Sequence, residues 1–254
     1  MKQKPHVLIT GAGSGIGRAI ALRLDAEGYA LSLCGRRRAA LEETAALLSP
    51  GALVAPAHVS DADQVAAAFD AAVAAHGPLF ALVANAGTGG PNEPGQGDRF
   101  EQLVATNLTG TYLSMRAAEA RFDEEADSPR RIVAIASILG RIGVPGYTGY
   151  CASKAGVIGL VRAMAHELAP ANVRVNAVAP GWVATDMAWE GLDGMAKGMG
   201  ISRDEALDKA MQDVPIRRMG SPEEIAGCVA WLLGPDSAGA TGSTFDVNGG
   251  AWMG

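Results

Sequence analysis

The sequence predicts an α/β domain on a doubly wound, mainly parallel sheet of about seven strands, flanked by helices on both faces. Three observations carry that expectation. Short apolar runs alternate with longer stretches of helical spacing, the order that builds parallel sheets. The run 79–84 is apolar throughout instead of at every second residue, as suits a strand covered on both faces. The first apolar run passes at once into a glycine-rich turn and then a helical stretch. Nothing in the 254 residues marks a boundary, so residues 1–254 read as one domain with a large core.

In order, residues 7–9 form the first strand, and Gly11, Gly13, Ser14, Gly15, Ile16 and Gly17 the turn into a helix over 18–28. Glycines let the backbone bend sharply and approach a pyrophosphate, while the following helix directs free N–H groups at the negative charge. A tight strand-to-helix turn with no ligand is the alternative. The second strand, 31–34, ends in Gly35, Arg36, Arg37 and Arg38. An acidic side chain about 20 residues beyond the glycines would take the ribose 2′-hydroxyl of NAD. Here a small residue and arginines stand instead, leaving room for a 2′-phosphate and offering it bidentate donors. Solvated arginines at a helix start are the competing explanation, although cations gain nothing from that end of the dipole.

A helix over 38–48, a strand over 53–58 and a helix over 62–75 follow, the last with Val65, Phe69 and Val73 on one stripe. His76, Gly77 and Pro78 close it. After the strand 79–84 come Asn85, Ala86 and Gly87, and then a Gly- and Pro-rich loop over 88–97. The helical stretch from about 98 carries Asn107 in its interior, where Asn is a poor helix former; a buried functional or kinking role competes with simple exposure. Residues 132–136 form a strand with Ser137 at its carboxyl end, the edge where open α/β sheets bind ligands.

Tyr150 and Lys154 then open a helix, four apart and therefore on one face. A cation beside a phenol favours phenolate and makes the proton transferable nearer neutral pH, and a hydroxyl such as Ser137 could hold the oxygen that receives it. A packed Tyr beside a surface Lys is the plainer reading of the same spacing. Ala152, Ala155, Gly156 and Gly159 would let another helix come very near. A sixth strand, 173–179, ends in Pro180, Gly181, Trp182 and Val183. The segment 186–214 sets Met187, Trp189, Met195, Met199 and Met211 among glycines and charges, and reads as a mobile, substrate-covering segment with adaptable apolar contacts. Ser221 caps a helix with Pro222 at its first position and Glu224 at its third, and the last strand is 243–247.

A formal charge of −6, with no basic run longer than Arg36 to Arg38, argues against a nucleic-acid surface. The three cysteines, Cys34, Cys151 and Cys228, are far apart, odd in number and without metal-ligand spacing, so neither a disulfide framework nor a metal site is expected. The residues 1–5 run directly into the first strand, too short a lead for a signal peptide, and no apolar run reaches membrane-spanning length, so a reduced, cytoplasmic protein is expected.

Taken together, these motifs resemble the short-chain dehydrogenase/reductase family over nearly the whole chain. The glycine turn from Thr10 to Gly17 resembles its cofactor loop, and Asn85-Ala86-Gly87 its mid-chain sheet motif. Asn107, Ser137, Tyr150 and Lys154 resemble its catalytic tetrad, and Pro180-Gly181 with Thr185 its nicotinamide-side loop. The resemblance implies a Rossmann-like fold and hydride transfer between a nicotinamide and a carbonyl or secondary alcohol. By that likeness Tyr150 is the acid/base, Lys154 lowers its pKa and holds the nicotinamide ribose, Ser137 orients the substrate oxygen, and Asn107 supports a water-linked proton relay to Lys154. Val59 and Val183 join the expected cofactor contacts, and Leu139, Tyr147, Trp182, Met187 and Trp189 the expected substrate side. The likeness also implies a homo-oligomer, tetramer or dimer, pairing its long helices. One departure stands at His58, which precedes Val59-Ser60-Asp61 where the family commonly has an acidic residue for the adenine amino group. Ser14 departs likewise, since many NADP-dependent relatives place a basic residue there. The expected activity is NADP(H)-dependent reduction of an apolar ketone or 3-oxo-acid derivative. NAD-dependent oxidation of a secondary alcohol is the alternative, and a non-enzymatic dinucleotide sensor or scaffold a third possibility that the tetrad argues against.

Overall fold

The computed structural model describes residues 4–123 and 128–254. Met1 to Gln3, part of the lead read above, lie outside the described residues. Strands β1 (His6–Thr10), β2 (Ala30–Gly35), β3 (Leu53–Pro56), β4 (Ala81–Ala84), β5 (Arg130–Ile135), β6 (Val173–Pro180) and β7 (Thr244–Val247) form one parallel sheet in the order β3-β2-β1-β4-β5-β6-β7. Val7 pairs with Leu31 on one side and Ala81 on the other, so the sheet changes winding direction at β1 and β4. That switch opens a crevice at the carboxyl ends of the two strands.

The helices are α1 (Gly15–Ala26), α2 (Arg38–Ala45), α3 (Ala62–His76), α4 (Phe100–Val104), α5 (Gly110–Glu119), α6 (Thr148–Leu168), α7 (Asp186–Met199), α8 (Arg203–Gln212) and α9 (Pro222–Leu233). Alternate strand residues feed two cores. Leu8, Leu82, Ile132 and Val175 meet Phe69 of α3, Met115 of α5 and Val161 of α6 on one face. Val7, Ile9, Val83 and Val133 meet Ile20 of α1, Leu41 of α2 and Val229 of α9 on the other. Double coverage is why these strands are apolar at consecutive positions.

Several bounds shift from the sequence expectation: the strands expected over 53–58 and 79–84 narrow to 53–56 and 81–84, and the helix expected over 38–48 ends at Ala45. Helix α1 begins at Gly15, inside the glycine turn, because the turn itself supplies its first residues. The segment 186–214 is not a cover lacking its own packing: α7 and α8 bury Leu192, Ala196, Ala206 and Met211 against each other, with Trp182 and Trp189 alongside. Leu192, Ala196, Ala206, Ala210 and Met211 build that small core, set in the sequence among charges and glycines that resemble loop composition.

At the amino edge of the sheet, His6 is 2% exposed, hydrogen-bonded to the Gly77 carbonyl and the Ser32 hydroxyl at 2.9 Å each. Burial, with His76 beside it, lowers its pKa from 6.5 to about 4. The unfolded chain therefore binds this proton first, and the stability held above pH 6.5 drains away as pH falls toward 4, by about 3 kcal/mol. Urea unfolding of wild type and His6→Asn at both ends of that window should show a shallower pH dependence in the variant; parallel curves would contradict it.

Candidate active site

The switch point is fastened before any ligand arrives. Thr10 Oγ1 accepts from the amides of Asn85 and Ala86, both at 3.0 Å, and Asn85 Nδ2 donates to the carbonyls of Thr10 and Gly11 at 3.1 Å. The carboxyl ends of β1 and β4 thus form one floor. Above it the chain doubles back with Gly11 at φ +68° and Gly15 at φ +51°, where L side chains are strained. A Cβ on Gly17 would lie 2.1 Å from the Gly11 carbonyl oxygen, so only glycine lets α1 start this close to the strand. Ser14, at the N-cap of α1, makes no side-chain capping bond, leaving the first amides to a ligand. The residues therefore fit a pyrophosphate. Gly17→Ala should cost folding stability of about 1–3 kcal/mol and weaken dinucleotide binding together; a variant of wild-type melting temperature and affinity would refute the packing account.

Arg18 was not singled out from the sequence, yet it holds this loop. Its Nη2 donates to the Gly13 carbonyl at 2.8 Å and meets Glu43 at 3.1 Å, while Nε donates to Thr44 Oγ1 at 3.0 Å. The available signal was a cation in the first turn of a helix, where the dipole opposes it unless something else holds it.

Gly35 ends β2, and Arg36 and Arg37 stand exposed beyond it, with Arg37 Nη2 3.4 Å from Ser14 Oγ. Arg37 thus spans from the end of β2 to the glycine turn. Arg38 is engaged elsewhere, 3.7 Å from Glu42 on the surface of α2. His58 Nδ1 lies 2.7 Å from Ser60 Oγ, and its amide donates to Gln64 Oε1 at 3.0 Å. Val59 is 4% exposed beneath α5, where Gly110 leaves room for it.

Ser137 follows β5 in extended conformation and accepts from the Leu139 amide at 3.1 Å, opening a 3-10 turn over Ile138–Gly140. That turn is seated on α6, since a Cβ on Gly140 would lie 2.8 Å from the Lys154 carbonyl oxygen. Lys154 is 4% exposed, and its Nζ donates to the Ile135 carbonyl at 2.7 Å and lies 5.8 Å from the Tyr150 ring centroid. Burial lowers its pKa to about 8. The expected depression of the Tyr150 phenol by Lys154 is not what dominates: burial pushes the phenol up, and a hydrogen bond with Ser137 pulls it partly back. The phenol therefore keeps its proton at neutral pH, the form that a reduction consumes.

Asn107 resolves both alternatives raised by its position. It is fully buried and sits in a π-helical turn, Ala105–Thr109, between α4 and α5. Its Oδ1 accepts from the Thr88 amide at 2.8 Å, and its Nδ2 donates to the Thr88 carbonyl at 3.0 Å and Ser153 Oγ at 3.1 Å. Gly87 lies between these groups: a Cβ there would be 3.2 Å from Asn107 Oδ1 and 3.5 Å from Lys154 Nζ.

The opposite wall comes from the end of β6. The Gly181 amide donates to the Val247 carbonyl at 3.2 Å, and Val183, 5% exposed, bridges to Gly220. Thr185 reaches the glycine turn, its Cγ2 3.1 Å from a Cβ built on Gly15. Leu139 and Tyr147 are half-buried. Met187, in the first turn of α7, lies against Gly89 of the 88–97 loop. Trp182 instead lines a cavity of about 430 Å³ with Ile216 and Trp252, and Trp189 one of about 270 Å³ with Leu207 and Met211. Among the described residues no His, Cys, Asp or Glu cluster could hold a metal, and no helix is long and apolar enough to cross a membrane. The three cysteines are free.

A parallel sheet with a glycine cradle at its switch point, and Ser, Tyr and Lys gathered beside it, defines a dinucleotide-linked oxidoreductase. The chain belongs to the short-chain dehydrogenase/reductase family. Residues 11–251 match a family model described as enoyl-(acyl carrier protein) reductase. It is 34% identical to the 3-oxoacyl-[acyl-carrier-protein] reductase FabG of Staphylococcus aureus, covering 100% of both chains. It is 36% identical to the human (3R)-3-hydroxyacyl-CoA dehydrogenase, covering 97% of this chain and 95% of that one. Among solved structures it resembles an actinorhodin polyketide ketoreductase variant determined with NADPH, with a TM-score of 0.90, 35% identity and coverage of 98% and 97%.

Proposed function

We propose that this protein is an NADP(H)-dependent ketoreductase of 3-oxoacyl thioesters or similarly apolar ketones. The observation that carries the reading is the meeting of two hydroxyls, Ser137 and Tyr150, over a buried Lys154 beside the glycine cradle. Bound NADPH supplies the hydride. Ser137 orients the carbonyl oxygen and Tyr150 delivers its proton to that oxygen as charge develops there. Lys154 spends one N–H on Ile135 and keeps two for the nicotinamide ribose, while Asn107 holds Thr88 and Ser153 around it. Gly11, Gly13, Gly15, Ile16, Gly17 and Thr185 take the pyrophosphate side, Asn85, Ala86 and Gly87 the floor, and Pro180, Gly181 and Val183 the nicotinamide side.

Three named relatives, FabG, the human dehydrogenase and the polyketide ketoreductase, act by their names at a 3-oxygen or ketone, which supports carbonyl chemistry over the alkene of the family description. The test is initial rates on acetoacetyl-CoA, crotonyl-CoA, a simple ketone and a secondary alcohol, each with both cofactors. Reduction of the first is expected, and reduction of crotonyl-CoA alone would overturn the reading.

NADP(H) is preferred over NAD because Arg36 and Arg37 offer the 2′-phosphate charge-assisted bonds, each contributing about 1.5–3 kcal/mol. Gly35 carries no carboxylate to hold a bare hydroxyl. Gly35→Asp with Arg36→Leu should reverse the preference by adding repulsion and removing attraction. Higher kcat/KM of the wild type with NADH at matched salt would show the arginines to be surface groups.

We propose that the protein is a homo-oligomer, dimer or tetramer, and place it in the cytoplasm by its likeness to FabG. Support for the assembly comes from Ala152, Ala155 and Gly159, exposed along α6 with no bulky side chain between them, whereas Gly156 is filled by Leu108 from within.

A further inference from the structure

The first turn of α6 lacks a local cap. Tyr147 stands at its N-cap without a side-chain bond to the turn, and free amides at a buried helix start need a partner. Asn92, in the 88–97 loop and 5% exposed, provides one from 57 residues away. Its Oδ1 accepts from the Gly149 amide at 2.7 Å, while Nδ2 donates to Asp98 Oδ1 at 3.1 Å and to Thr148 Oγ1 at 3.0 Å. Its own amide donates to the Gly146 carbonyl at 2.8 Å. Asp98 in turn accepts from the Phe100 amide at 3.0 Å, joining the cluster to the start of α4. The seat is tight: a Cβ on Gly149 would lie 3.2 Å from Asn92 Oδ1 and 3.1 Å from Leu103 Cδ1.

We propose that Asn92 caps the first turn of α6 from outside the helix and, on the ketoreductase reading above, is a positioning residue for Tyr150. Tyr150 is the third residue of the helix, inside the turn that Asn92 closes. If that turn frays, the phenol moves relative to Ser137 and the carbonyl oxygen between them, while the glycine cradle is untouched. The same loop carries Gly89, against which Met187 of α7 rests. Displacement of the loop at the pocket mouth is therefore transmitted to the acid, and a small misplacement of a reacting group is costly in rate.

Asn92→Ala should lower kcat for acetoacetyl-CoA about tenfold, leave NADPH affinity by fluorescence titration within about threefold, and raise amide exchange at Gly149 and Tyr150 about tenfold. Amides in the middle of α6 should keep their protection. The double variant Asn92→Asp with Asp98→Ser keeps an oxygen for the Gly149 amide and sets at 98 a hydroxyl that donates to the new carboxylate while still accepting from the Phe100 amide, so it should restore both readouts even if the alanine variant folds poorly. Unchanged amide exchange at Gly149 in the alanine variant, its kcat within twofold of wild type, or a loss that the double variant does not restore would each overturn the proposal. Should the wild type reduce no carbonyl compound, the ketoreductase reading fails, and the exchange data still decide whether Asn92 is the cap.

Discussion

Tyr150→Phe is expected to lower turnover of a 3-oxoacyl thioester by a factor of about 10² to 10⁴, because the ring remains and the transferable proton does not. Dinucleotide affinity should stay within a few-fold of wild type. Burial already holds the phenol protonated, so no neighbouring group has to supply that proton in the first turnover. Water would be a poor substitute if, as proposed, Ser137 orients the oxygen from the other side. Turnover within a few-fold of wild type would remove Tyr150 from the acid role.

On the proposed reading, Lys154→Ala should lower both turnover and cofactor affinity, because one ammonium would hold the nicotinamide ribose and lie beside Tyr150. Turnover is expected to fall about 10²-fold, and NADPH affinity about tenfold as the donors to the ribose disappear. A loss confined to one of the two would break the double assignment. The wild type carries its own version of this experiment. With its pKa near 8, Lys154 is charged below that pH and neutral above it, so kcat/KM for reduction should be full below pH 8 and decline above it. A profile flat to pH 10 would show that the charge of Lys154 is not needed.

Much of this site was legible because its chemistry lies in short contiguous motifs. The glycine turn, Asn85 to Gly87, and the pairing of Tyr150 with Lys154 each sit at one carboxyl edge, and the alternation of strands and helices brings those edges together. What stayed hidden depends on distance through space. The hold of Arg18 on Gly13 and the cap from Asn92 to Gly149 join residues that no local pattern relates, and both look like ordinary loop or surface positions in the sequence. The rise in the Tyr150 pKa is hidden for a similar reason: spacing reveals the neighbouring charge but not the burial that pushes the phenol up. The core of α7 and α8 is hard to read because its alanines carry little hydrophobic signal and its Leu192 and Met211 stand among glycines and charges. Trp182 and Trp189 drew attention by size, yet the structure turns them toward that small core and its cavities, while the smaller Met187 rests on the loop beside the cradle.

On the proposed reading, hydride passes from the nicotinamide to a carbonyl carbon while Tyr150 protonates the oxygen. Mass spectrometry of the product formed from acetoacetyl-CoA and NADPH deuterated on its transferable hydride tests it most directly. The expected product is a 3-hydroxyacyl thioester with one deuterium on the former carbonyl carbon, with almost none formed by Tyr150→Phe. Deuterium found only in a saturated acyl chain made from crotonyl-CoA, with acetoacetyl-CoA recovered unchanged, would contradict it.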